Sequence, residues 1–272
     1  MKNLTLTLAL LFSSLFSINA QSIRIIQKET QEKYPIRGAV PEKIIETITE
    51  FKKNGTSTTK KETIEFSVKG DTITQTSFDG RNRDLRKISV YNPNNLKTYL
   101  KITKGSGKHE ETIQINYHYD DNTLTEIHRL EKLKELDQPT NTYGIITTDS
   151  LGLSIRSDMY NHAGRRYLYQ IVTPDYPSNR LIFEVYDSLD NRVRKETHFI
   201  QAPVEYNEQG DPVFYPDDPT VGNRRFFRAR YRYDKQGNWT FKQEWLIRKK
   251  DDVVVEERLV KTTKRKIHYR KE

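Results

Sequence analysis

The sequence predicts an all-β protein, an antiparallel meander of hairpins that forms one large twisted sheet. Apolar and polar residues alternate with a period of two along many stretches, and turn-forming residues separate these stretches. Tyrosine numbers 16 in 272 residues, and its ring can pack on a sheet while its hydroxyl reaches water. A chain of this length fits a single β-rich domain, which we expect over residues 21–272.

Residues 1–20 are typical of a secretory signal peptide. Lys2 supplies a positive charge, residues 4–16 are mostly apolar, and Ala20 is a small residue at the expected cleavage site. An uncleaved membrane anchor is the alternative, but the apolar run is shorter than the roughly 20 residues that span a bilayer. No later stretch predicts a transmembrane segment in the mature chain. We therefore expect an exported protein in the periplasm or at the outer cell surface.

The chain is basic and contains no cysteine. Its formal charge is +9, and removal of Lys2 with the leader lowers it to +8. Export without disulfides is more typical of a bacterial envelope than of a eukaryotic secretory route. A basic exported protein can bind an anionic envelope polymer or a protein partner. The alternative is an evenly solvated surface rich in lysine.

The first predicted strands have clear boundaries. Residues 41–53 are rich in isoleucine and threonine and end at Asn54-Gly55, a strong hairpin signal, so we favour a strand over a helix. Strict alternation predicts further strands at residues 64–68, 113–119 and 227–233.

Two stretches have a different pattern. A spacing of three favours one short helix near residues 126–136, with a strand left open as the alternative; the residues at this spacing are Ile127, Leu130, Leu133 and Leu136. Residues 206–222 are expected to form a long loop, because proline cannot donate to a β-ladder. The prolines concerned are Pro212, Pro216 and Pro219.

Several turns share one pattern. An aromatic residue ends a strand, Asp or Asn begins the turn, and Gly, Asp or Asn completes it. The stretches begin at Phe78, Tyr119, Tyr160, Tyr186, Tyr206 and Tyr233. The first carboxylate or amide can accept backbone hydrogen bonds, and the later residue can adopt a positive φ. These stretches therefore indicate degenerate, hairpin-sized repeats.

The unit resembles the YD repeats of Rhs-type and teneurin-type proteins and of short exported proteins of Bacteroidetes. "YRYDKQGNWTFKQEW" (residues 231–245) is the best copy, and "YNEQGD" and "YNHAGRRYLY" are looser ones. The resemblance implies a sheet built from hairpins and implies little about activity. A second resemblance, to the Asp-Ser/Thr-aliphatic site of O-glycosylation in exported Bacteroidetes proteins, implies glycans on exposed turns at Thr72, Ser150 and Ser188.

Catalytic and metal-binding motifs are not apparent. Without cysteine there is no thiol nucleophile, and the six histidines show no metal-ligand spacing. No nucleophile elbow, phosphate-binding loop or dinucleotide fingerprint is found. We therefore expect no catalytic residue, no metal and no cofactor. A glycoside hydrolase needs two carboxylates about 5–10 Å apart, which distant strands of a sheet can supply without any sequence signal.

The candidate binding residues lie in the last third of the chain. Arginines alternate with apolar residues in "RRFFRARYRY", which places Arg228, Arg230 and Arg232 on one strand face. We expect Trp239 and Trp245 to share a face of the next strand, where they either bind a ligand or pack in the core. Nucleic-acid binding needs basic and aromatic residues on one surface, and the alternation argues against it.

Together these observations predict an exported, non-enzymatic β-repeat protein with a binding or structural role in the bacterial envelope. An envelope glycan hydrolase and a periplasmic immunity or secretion-associated protein are the alternatives.

Overall fold

The computed structural model describes residues 36–78, 84–105, 110–132, 138–151, 153–201, 204–218, 221–222, 224–251 and 253–270. The predicted signal peptide at 1–20 and the turn at 79–83 lie outside these ranges. The described residues contain no helix that is long and apolar enough to cross a membrane.

Seventeen antiparallel strands form one open, curled sheet, which confirms the predicted fold class. The first nine are β1 (Pro41–Phe51), β2 (Ser57–Phe66), β3 (Thr72–Phe78), β4 (Asp84–Tyr91), β5 (Lys97–Lys104), β6 (Glu111–Asp120), β7 (Thr123–Lys132), β8 (Thr140–Thr148) and β9 (Ser154–Asn161). The others are β10 (Arg166–Asp175), β11 (Arg180–Asp187), β12 (Arg192–Phe199), β13 (Glu205–Tyr206), β14 (Pro212–Pro216), β15 (Arg225–Tyr233), β16 (Trp239–Lys250) and β17 (Val253–Tyr269).

The strands from β1 to β12 pair in sequence order, and so do the strands from β13 to β17. The two series join because β1 pairs with both β2 and β17. β12 and β13 are therefore the two edges of the sheet, although they are neighbours in sequence. The edges approach one another, since the amide of Val221, after β14, donates to the carbonyl of Thr197 in β12 at 2.9 Å.

The turns are formed as their residue types predict. The first side-chain oxygen accepts the amide protons two and four residues later, at 2.9–3.0 Å, in the turns that begin at Asn92, Asp149, Asn161, Asp187 and Asp234. The fourth residue has a positive φ at Asn95 (62°), Gly164 (70°), Asp190 (62°) and Gly237 (80°). The turn after Tyr119 differs, because Asp121 and Asn122 both have positive φ in a two-residue hairpin loop.

The concave face of the sheet holds both the apolar core and buried charge. One apolar cluster is centred on Leu100, Ile115 and Ile127 and another on Ile44 and Ile64. The same face carries buried ionic side chains, among which Arg265 Nε donates to Glu46 Oε1 at 2.7 Å. Hydrophobic residues make up 34% of the chain, which explains why ionic pairs complete the interior.

The expected helix near residues 126–136 is wrong over its described part, because residues 126–132 belong to β7. The register between β6 and β7 shifts between His118–Glu126 and Tyr119–Leu124, so Thr125 is an extra residue in β7. This bulge places the buried Leu124 and Ile127 three residues apart within a strand. Residues 133–137 lie outside the described ranges.

The expected loop at 206–222 is also wrong in part, because β14 occupies Pro212–Pro216. Its two prolines lie at the strand ends, where a missing N–H interrupts the ladder least. β14 pairs with β15 through Phe214, Tyr215 and Pro216. Pro219 lies outside the described residues.

Candidate functional site

The predicted arginine stripe lies on the convex, outer face of β15. Arg230 is 5.2 Å from the ring centroid of Trp245, and Arg232 is 5.4 Å from that of Phe241. Arg228 pairs with Glu257 at 2.7 Å. Stacking on a ring uses the face of a guanidinium and leaves its N–H donors directed to the side, where they can bind carboxylate or phosphate.

Arg228 and Arg230 line a groove of about 510 Å³ on this face, which we call the outer groove. Its wall includes Phe214 of β14 and Lys249 of β16. The rings of Phe214 and Phe226 stack at 5.2 Å, and the Lys249 ammonium lies 5.3 and 5.2 Å from their centroids. Phe214 was missed by sequence reasoning because it lies in the proline-rich stretch taken for a loop.

The expected common face of Trp239 and Trp245 is wrong. Arg232 pairs with Phe241 but the next residue, Tyr233, pairs with Trp239, so Thr240 is an extra residue in β16. This bulge turns Trp239 to the inner face, where it contacts the ring of Tyr231. The guanidinium of Arg265 lies 3.1 Å from the Trp239 centroid. Of the two tryptophans, only Trp245 lies on the same face as the arginine stripe.

An ionic cluster lies on the inner face of the same strands. Glu244 Oε1 accepts hydrogen bonds from Tyr215 at 2.6 Å and from Lys242 at 2.8 Å. Burial lowers the pKa of Lys242 and raises the pKa of Tyr215. The pKa of Glu244 is lowered, because the hydrogen bonds and the positive charge of Lys242 outweigh the effect of burial. This cluster therefore holds an ionised carboxylate beneath the outer face.

Two buried carboxylates face each other across β1 and β2. Glu46 and Glu62 are paired in register and are both buried. Glu46 binds Arg265, whereas Glu62 binds Lys60 at 3.0 Å and accepts a hydrogen bond from Gln75. The pKa of Glu62 is lowered, although burial alone would raise it. In a hydrolase the general acid needs a raised pKa. For each described carboxylate whose pKa shift is resolved, the pKa is lowered.

The residues predicted to carry glycans occupy two kinds of position. Ser150 and Ser188 are exposed at turn tips and are followed by leucines that are also exposed. Thr72 instead begins β3, is half-buried and precedes the core residue Ile73, so its expected place on an exposed turn is wrong. In the described parts of the chain, no group of three His, Asp or Glu side chains is placed to hold a metal ion.

Comparison with known proteins gives no family. No family model matches the chain, and no curated protein matches it. A porin-like protein from Bacteroides uniformis ATCC 8492 has 9% identity and a TM-score of 0.41, over 84% of this chain and 96% of that one. A protein of unknown function from the DUF3598 family of Nostoc punctiforme PCC 73102 has 13% identity and a TM-score of 0.18, over 83% and 95%. At these values neither indicates what this chain does, and the resemblance to YD repeats stays a prediction.

Proposed function

We propose that this chain is an exported protein that binds an anionic polymer of the bacterial envelope along the outer groove and the arginine stripe of β15. The observation that carries the proposal is the row of arginines beside a groove of about 510 Å³. Among the described residues, Arg230 and Arg232 have ring contacts but no carboxylate partner. Their charge is therefore available to an acidic ligand.

An extended polymer suits this surface better than a compact ligand. Arg228, Arg230 and Arg232 follow one another at every second residue of β15, which spaces them by about 7 Å along the strand. Repeating carboxylates or phosphates can contact several of them at once. Binding of this kind should weaken with added salt, because exposed charges are screened beyond about 8–10 Å at physiological ionic strength.

The test compares two triple variants of the purified mature chain on immobilised polygalacturonate, with neutral dextran as a blank. Arg228→Ser/Arg230→Ser/Arg232→Ser should weaken binding at least tenfold. The matched control Arg192→Ser/Arg194→Ser/Lys195→Ser removes the same charge from exposed positions on β12 and should change binding less than twofold. Equal losses in both variants would show that net charge alone attracts the polymer and would refute the proposed site.

Export has its own test, which is independent of the ligand. Expressed with its leader in a bacterial host, the chain should be recovered from the envelope fraction with Gln21 as its first residue. A full-length protein in the cytoplasmic fraction would contradict the proposed export.

A further inference from the structure

The inner face of the sheet carries a second concave surface, which shares one wall residue, Lys249, with the outer groove. It lies where β15, β16 and β17 meet the turn between β1 and β2, and encloses about 700 Å³. Seven cationic residues line it beside one carboxylate, Glu256; they are Lys53, Arg224, Arg225, Arg248, Lys249, Lys250 and Arg258. The ammonium of Lys249 itself lies over Phe214 and Phe226 in the outer groove. We call this surface the cationic cleft.

Neighbouring carboxylates balance only part of this charge. Glu256 is shared by Arg248 at 3.3 Å and Arg258 at 3.0 Å, and Arg225 pairs with Asp217 at 3.0 Å. Lys53 and Arg224 have no ion pair with any residue that the structure describes. A concave wall of one sign concentrates the electrostatic field, so the cleft attracts anions more strongly than a flat surface with the same charges.

A second space adjoins the cationic cleft. This inner cleft encloses about 390 Å³ and shares Arg225, Leu246 and Arg258 with the cationic cleft. Its wall adds the apolar side chains of Phe51 and Phe227. The charged residues Glu50, Lys52, Glu244 and Lys261 also belong to this wall. The combined surface thus joins a cationic region to one in which apolar and charged residues are mixed.

We propose that the two clefts together bind an anionic amphiphile. Its phosphate or carboxylate head group contacts Lys53, Arg224 and Arg225, and its apolar tail lies against Phe51 and Phe227. Arginine forks and a lysine ammonium are the donors that such head groups prefer. This site goes beyond the proposed polymer binding, because it uses the opposite face of β15 and β16 and a different class of ligand.

The test titrates the mature chain with a series of alkyl phosphates below their micelle concentrations, followed by calorimetry. Each buried methylene should tighten binding roughly fourfold, so dodecyl phosphate should bind at least tenfold more tightly than octyl phosphate. Inorganic phosphate should bind weakest, because it lacks the tail. Laurate, measured in parallel, distinguishes a carboxylate from a phosphate head group. Affinity that does not change with chain length would overturn the proposal.

Two variants locate the site. Lys53→Ser/Arg224→Ser removes two exposed cations and should weaken dodecyl phosphate binding at least tenfold. The control Lys69→Ser/Lys235→Ser removes two exposed turn lysines elsewhere and should have less than a twofold effect. Phe227→Trp should shift the preference to an alkyl phosphate with a shorter alkyl chain, because the larger side chain fills part of the inner cleft. Equal losses in the two double variants, or an unchanged chain preference in Phe227→Trp, would overturn the assignment.

The outcomes also separate this site from the proposed polymer site. The Arg228→Ser/Arg230→Ser/Arg232→Ser variant should keep its affinity for dodecyl phosphate, and Lys53→Ser/Arg224→Ser should keep its affinity for polygalacturonate. A loss of both ligands in either variant would refute the existence of two sites.

Discussion

Asn238, the last residue of the clearest YD-like turn, should be one of the most sensitive positions in the protein. Its side chain is 3% exposed and binds both backbone polar groups of Arg37. The amide of Arg37 donates to Oδ1 at 2.8 Å, and Nδ2 donates to the carbonyl of Arg37 at 2.7 Å. Nδ2 also donates to the hydroxyl of Tyr269 at 2.9 Å. Asn238 therefore connects the chain segment before β1 to the end of β17.

Asn238→Ala should lower the free energy of unfolding by about 3 kcal/mol. The substitution removes three hydrogen bonds that each contribute about 1 kcal/mol net, and it leaves partly buried partners without their ligand. For a domain of this size that loss corresponds to a decrease in melting temperature of roughly 6–12 °C. Asn238→Asp should not restore stability, because a carboxylate keeps only the acceptor and faces the carbonyl of Arg37.

The measurement is urea unfolding followed by far-ultraviolet circular dichroism. Asn191 is the matched control, because it holds the same position in the turn that begins at Asp187 but is exposed. Among the described residues its side chain hydrogen-bonds Asp187 alone, through Nδ2 to Oδ2. Asn191→Ala should cost about 0.5 kcal/mol or less. If both alanine variants lose the same free energy, or if Asn238→Ala loses less than about 1 kcal/mol, the side chain does not hold the Arg37 segment as described.

Three further outcomes are expected. Glu46→Leu should cost about 3–5 kcal/mol by leaving the buried guanidinium of Arg265 without this carboxylate, whereas Glu46→Leu/Arg265→Leu should cost less; additive losses in urea unfolding would contradict this. The lowered pKa of Glu244 contributes stability that is present above about pH 4.3 and is lost as pH falls through the folded-state pKa. Glu244→Gln should therefore make the free energy of unfolding less dependent on pH between pH 5 and 3. An unchanged slope of this free energy against pH would contradict the role of Glu244. The exported native protein should carry added mass that Ser150→Ala/Ser188→Ala removes, whereas an unmodified mature mass would exclude glycosylation.

The local features of the fold could be predicted because their causes are local. Asn54-Gly55 forms the hairpin turn that its residue types favour, with Gly55 at a φ of 80°. The Asx pattern at Asp187 and Asp234 needs only five consecutive residues, so the sequence contains all of its donors and acceptors. The place of β1 between β2 and β17 could not be predicted in this way. It joins Glu46 to Arg265, residues that only the complete sheet brings together.

Two single-residue insertions change which side chains share a strand face, and a period-two pattern cannot show them. Thr125 in β7 places the buried Leu124 and Ile127 three residues apart, whereas Leu130, which belongs to the helix-like spacing, lies on the exposed face of the strand. Thr240 in β16 sends Trp239 inward to Arg265 and leaves Phe241 outside beside Arg232. In both cases a threonine hydroxyl bonds a carbonyl of the neighbouring strand: Thr125 Oγ1 donates to His118 at 3.2 Å and Thr240 Oγ1 to Arg232 at 3.4 Å.

A bulge of this kind changes which side chains share a face without changing the strand assignment. The outer stripe consequently keeps one tryptophan, Trp245, and the second tryptophan packs against the buried Arg265 instead. Along β15 the register is uninterrupted from Arg225 to Arg232, so Arg225 lies on the face opposite Arg228 and Arg230. Arg228 and Arg230 face the outer groove, while Arg225 and Arg248 face the cationic cleft, each set beside its own aromatic or apolar contacts. The two proposed sites therefore require cations on opposite faces of the same strands, and alternation along β15 supplies them.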